Sequence, residues 1–179
     1  TDFKVFNSCS RRPKLLTTLN AMEDPRIEDK WKTIYPGARI NLKRSQDWSL
    51  RKVAEEHEVE DDNGVKTMVK PWDGLSDLGK FLYVSCAYAC EDFDDSYWFF
   101  NDVVEPEVMK DVRKHADLFR KAQEADNTGE VKVLAQELLD ALGEDDPEIE
   151  TVDPEDIEDD AIILPPGAGQ SPQDQATNK

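Results

Sequence analysis

Residues 83–102, YVSCAYACEDFDDSYWFFND, gather the densest set of side chains able to do chemistry. Cys86 and Cys90 stand four apart, which on a helix puts both thiols on one face. Two thiolates so placed could share a zinc ion, but tetrahedral zinc takes four nitrogen or sulfur ligands. The only other candidates are Cys9, His57 and His115, scattered along the chain without a ligand spacing. Buried thiols acting as small apolar side chains fit this pattern better, and no metal site is expected.

The carboxylates that follow, Glu91, Asp92, Asp94 and Asp95, could hold a hard cation. An EF-hand loop needs glycine at its sixth position and glutamate at its twelfth. Counted from Asp92, those positions are Tyr97 and Val103; a loop placing Gly64 sixth would begin at Val59. Neither count works, so the acids read as a solvated helix end. Acid–base catalysis has little to draw on, with His57 and His115 the only histidines. No serine or cysteine sits in a nucleophile elbow, and no glycine-rich loop could cradle a phosphate. The expectation is a protein that is not an enzyme, with no catalytic residue and no cofactor.

The aromatic run Tyr97, Trp98, Phe99, Phe100 invites comparison with base-stacking platforms, but those work inside a positive groove. Here the neighbours are acids, which leaves core packing or a protein interface. Trp98 and Phe99 are carried as interface candidates with Trp31, Tyr35, Ile162, Ile163 and Leu164, while Trp48 and Trp72 read as core or rim anchors.

The elements that must position these residues follow from periodicity. Leu75, Leu78, Leu82, Cys86 and Ala89 keep the spacing of one helical face, widened by Phe81, Val84 and Tyr88. This predicts a central helix running to about residue 93, capped by Asp73 or Ser76. A second helix opens at Pro106, whose missing N–H costs nothing at a first position. A third starts near Thr128 with the stripe Val131, Leu134, Leu138, Leu142, and Gly143 ends it. Asn63-Gly64 predicts a two-residue hairpin turn, setting Asp61 opposite Lys66 and Val59 opposite Met68.

Residues 1–45 show no long clean period, and Pro13, Pro36 and Gly37 punctuate them. They read as a loop-rich arm with at most a short helix over 14–22. The arm is basic: residues 1–52 hold 12 Lys and Arg against 6 Asp and Glu. Residues 53–142 hold 9 against 22, and residues 143–179 hold 1 against 12. The last stretch surrounds Ile162, Ile163 and Leu164 with acid, proline and glutamine, too little apolar surface to repay ordering. The expected fold is mainly α: a bundle of three or so helices with one hairpin over 46–143, a loop-rich basic arm over 1–45 and an acidic disordered tail over 144–179.

A net charge of −18 repels phosphate, so the acidic body is not expected to bind nucleic acid directly. No apolar run is long enough to cross a membrane, and TDFKVFNSCSRRPK lacks the apolar core of a secretory signal. Three cysteines without framework spacing favour a reducing compartment. The expected location is cytoplasmic, in host cytoplasm or virion if the source is viral. The leading functional expectation is a protein–protein interaction protein, an assembly factor or structural component of a multi-subunit particle. Its partners would carry a basic surface or be further copies of the chain, drawn head to tail by unequal end charges. Two alternatives are an acidic charge mimic that inhibits a nucleic-acid-binding protein, and a small enzyme or metal protein.

Overall fold

The computed structural model describes residues 2–60 and 64–148. Among these there are seven α-helices and one two-stranded antiparallel hairpin. In chain order they are α1 (Phe3–Asn7), α2 (Pro13–Ile34), α3 (Ala38–Ala54), β1 (His57–Glu60), β2 (Lys66–Val69), a 3-10 turn (Pro71–Gly74), α4 (Asp77–Cys90), α5 (Trp98–Asp102), α6 (Pro106–Glu124) and α7 (Thr128–Leu142). The mainly helical fold with a single hairpin is the one the sequence predicts.

The basic N-terminal region differs from expectation: it is helix, not loop-rich arm. Its α2 packs against α4, α6 and α7 and is the hub of the bundle. The buried positions of α2 are Leu15, Thr18, Leu19, Ala21, Met22, Glu23, Pro25 and Arg26. They do recur at helical spacing, but threonine, glutamate, proline and arginine interrupt the apolar stripe and hide the period. Pro13 occupies the first turn, where no N–H is missed. Pro25 lies inside the helix and removes one internal hydrogen bond, which packing on three neighbouring helices offsets.

Hydrogen bonds between elements give the helix directions. The Lys32 ammonium donates to the Cys90 carbonyl (2.9 Å), joining the C-terminal ends of α2 and α4. Gln123 donates to the Ala89 carbonyl and Phe81 meets His115 edge to face, so α4 and α6 run parallel. Arg26 and Lys30 donate to the Ala125 carbonyl just before α7, whereas the segment after α7 returns to Arg12 and Lys14. Thus α7 lies antiparallel along α2. Its left-handed terminator is Gly143, at φ +72°, as its sequence position implies. Ser76 caps α4 by accepting from the Gly79 N–H, and α6 opens on Pro106. The cap of α7 is Asn127, and the Thr128 hydroxyl accepts from the Asp2 N–H.

The hairpin is displaced by one residue from its expected register. Glu58 stands opposite Met68, Val59 opposite Thr67 and Glu60 opposite Lys66. Both strands are exposed apart from His57, so no buried face selects a register and the connection decides it. Gly64 adopts φ +78° in that connection; Asp61 and Asn63 lie outside the described residues.

Residues 144–148 also depart from the expected boundary. They belong to the folded unit: Asp146 accepts from the backbone N–H of Lys14 and Leu15, and Glu144 pairs with Lys14 at 2.6 Å. The rest of the acidic tail, 149–179, lies outside the described residues.

Candidate interaction surface

Residue by residue, the opening segment resolves into interior and rim. Cys90 is buried at the end of α4, and Cys9 is buried beside α1. The neighbouring Cys86, then burial, push the Cys90 thiol well above its ordinary range, so it stays protonated at neutral pH. The carboxylates that follow are each engaged. Glu91 pairs with Lys43 (2.8 Å), Asp92 with Arg39 (2.9 Å) and Asp95 with Arg113 (3.1 Å), while Asp94 accepts from the Ser96 N–H (2.8 Å). Among the described residues no group of three or more His, Cys, Asp or Glu side chains is gathered to hold a metal ion.

Phe99, an interface candidate from the sequence, is 0 % exposed and belongs to the core. It sits edge to face with Trp72, Tyr83 and Trp98, and Phe100 packs on Tyr88 in the same manner. The short α5 drives both phenylalanines inward, an orientation that a run of four aromatics does not disclose. Trp98 is half-buried at the rim. Its indole N–H donates to Asp47 at 3.0 Å, and the Arg51 guanidinium covers its ring at 4.9 Å.

Asp47 is the pin that holds α3 to the bundle. It accepts from the Tyr97 hydroxyl (2.7 Å), the Trp98 indole and Arg51 (3.0 Å). These donors, Tyr97 first, hold its carboxyl below the usual range. Along the same side of α3, Arg39 reaches Asp92, Lys43 reaches Glu91 and Gln46 donates to the Ala87 carbonyl. This order makes α3 antiparallel to α4. Leu50 is the only residue that α3 buries, so the helix is held by polar side chains more than by apolar area.

The outer side of α3 carries exposed apolar residues. Ile40 and Trp48 are exposed, as are Trp31, Ile34 and Tyr35 at the end of α2, each between 49 % and 65 %. The Trp31 and Tyr35 rings contact each other at a tilt of 37°, with centroids 5.2 Å apart. Two shallow grooves follow from this arrangement. One lies along α3 and is lined by Ile40, Lys43, Arg44, Asp47, Trp48 and Arg51. The other, by Trp31 and Ile34, reaches Ile27, Lys30 and the Asp126–Thr128 cap of α7. The α3 segment holds five Lys and Arg against one Asp. The interface candidates Trp31 and Tyr35 are therefore on the surface and together; Ile162, Ile163 and Leu164 lie outside the described residues. Ile40, Arg44, Trp48 and Arg51 were legible as a helical row at spacings of four, four and three, had residues 38–54 been taken as helix.

Neither histidine lines these two grooves. His115 is buried against Phe81, and burial lowers its pKa; His57 Nε2 lies 2.6 Å from the Lys52 carbonyl. No helix of the described residues is long and apolar enough to cross a membrane. Comparison with protein-family models, curated proteins and solved structures finds no match to this chain.

Proposed function

We propose that this chain is a non-enzymatic protein–protein interaction protein, an assembly factor or structural component of a larger multi-subunit particle, and that it docks through the end of α2 and the outer face of α3. One observation carries this reading. Trp31, Ile34, Tyr35, Ile40 and Trp48 are all exposed on adjacent elements, with Lys43, Arg44 and Arg51 among them. Aromatic anchors ringed by arginine are the composition of interface centres. The chain is also charged unequally, so one end attracts an acidic, aliphatic segment and the other a basic surface. Head-to-tail contact between copies satisfies both ends at once.

The test is capture from the native source by the immobilised full chain, compared with the Ile40→Asp/Trp48→Asp variant. A contact built on these anchors persists at about 0.3 M salt, where surface electrostatics are screened beyond a few ångström, and is lost in the variant. Equal retention of the same partner by both proteins would remove α3 from the docking face.

A further inference from the structure

Resting on that reading of α3 as a docking face, we infer that the face is also covered within the same molecule, by the acidic segment leading to Ile162, Ile163 and Leu164. The face is the row Ile40, Arg44, Trp48 and Arg51 with Lys43 beside it. Arg44 is exposed and makes no ion pair among the described residues. An amphipathic cationic face with a tryptophan at its centre is fitted by an acidic strip carrying aliphatic side chains. Residues 148–160 hold eight Asp and Glu and no Lys or Arg, with Ile157 among them and Ile162, Ile163 and Leu164 directly after.

Reach and concentration favour the segment of the same chain. The chain leaves the bundle at Asp146, which is tied to the first turn of α2. From Glu148 to Ile162 an extended chain covers about 46 Å at roughly 3.3 Å per residue. The longest helix, α2, spans about 33 Å at 1.5 Å per residue, so no point on α3 lies far beyond reach. A tethered segment sees its site at an effective concentration near the millimolar range, well above a micromolar second copy. A nucleic acid is the weaker fit, because Asp47 interrupts the cationic row and the chain as a whole is strongly acidic. Occupancy of the face within one molecule leaves the isolated chain a monomer.

The experiment is zero-length carbodiimide coupling of the full chain, with the monomer band analysed by mass spectrometry. Lys43 or Lys52 should couple to carboxylates in 150–160, and the amides of 160–164 should exchange slowly with deuterium. Both signals should fall by about tenfold in Arg44→Glu/Trp48→Ala, whose circular dichroism checks the fold. They should fall equally in Ile162→Ser/Ile163→Ser/Leu164→Ser, whose changes lie outside the described residues. Coupling spread over Lys110, Lys114, Lys121 and Lys132, coupling confined to a dimer band, or displacement of neither signal by these variants overturns the inference. Coupling that is blocked by an added oligonucleotide in the wild type, with no protected amides in 160–164, overturns it in favour of nucleic acid. If coupling is absent while Ile40→Asp/Trp48→Asp still loses its partner, the docking face stands and self-occupancy falls.

Discussion

The carboxylate of Asp146 accepts hydrogen bonds from the backbone N–H of Lys14 (3.1 Å) and Leu15 (2.9 Å), 131 residues away from the latter. It does for α2 what a local cap does elsewhere, since Arg12 at the cap position offers no acceptor. The Arg12 guanidinium closes over the same carboxylate at 3.5 Å, and the Asp146 side chain is only 2 % exposed. The hub helix of the bundle thus begins on a residue that follows α7.

Asp146→Ala should cost about 1–2 kcal/mol, the range for a lost N-cap with a charged acceptor. Chains ending at 143 and at 148 separate the folded boundary from the acidic segment. Thermal unfolding should be lowered more by the first cut than by the second, which removes only the segment inferred to lie on α3. Equal melting of both would place Asp146 outside the stabilising contacts.

Glu23 and Arg26 form an ion pair at 2.6 Å in the interior of α2, both almost fully buried, and one Glu23 oxygen has no partner among the described residues. Removing Arg26 alone leaves a buried charge, so Arg26→Met should cost about 3–5 kcal/mol. The double change Glu23→Leu/Arg26→Met should recover most of that loss. Urea midpoints for the two single variants and the pair check it; additive losses would mean the residues are not coupled.

Asp24 gives a pH dependence of definite sign. Burial first, then Glu28 and Glu23, push its carboxyl up to about 6. The folded state therefore holds this proton more tightly than the unfolded state, whose carboxyl titrates near about 4. The resulting stability is fully present below that value and is lost as pH rises through about 6, to the extent of roughly 3 kcal/mol. Asp24→Asn should flatten the stability profile between about pH 4 and 6 and raise the melting temperature at pH 7. A wild-type profile that climbs across this window, unaltered by the substitution, is the contrary result.

Asp92 and Phe93 both lie in left-handed backbone, at φ +55° and +60°, where α4 ends. The Phe93 N–H bonds the Tyr88 carbonyl and the Asp92 N–H bonds that of Ala89, the pattern of a glycine-type helix stop built without glycine. Asp92→Gly relieves that strain and gives up only the exposed pair with Arg39. A stabilisation of about 0.5–1 kcal/mol is expected. A loss of stability would show that the Arg39 contact matters more than the backbone.

Asp47→Asn leaves the Tyr97 and Trp98 donors an acceptor but weakens the Arg51 pair, whereas Asp47→Ala abandons all three. Amide exchange along 38–54 should accelerate strongly in the alanine variant and little in the asparagine variant, while α6 and α7 stay protected. Uniform acceleration across the chain would mean that α3 is part of the global core.

Sequence by itself determined the parts of this protein in which local chemistry and global packing agree. Pro106, Ser76 and Gly143 mark helix ends because start and stop signals act through adjacent backbone groups. The stripe through Leu82 and Ala89 on α4 is buried because its period is uninterrupted. Tertiary structure decided the remainder. The helix α2 owes its place to three neighbours that bury its threonine, its proline and a glutamate–arginine pair, and to a cap that arrives from Asp146. The register of an exposed hairpin depends on its connection, since neither face is selected by burial. Phe99 and Trp98 are adjacent in sequence, yet the turn into α5 sends one to the core and leaves the other at the rim. The exposed row of Ile40, Arg44 and Trp48 exists only once 38–54 is helical. That helix buries one leucine and is held through Asp47, a contact with residues fifty positions away that no local pattern encodes.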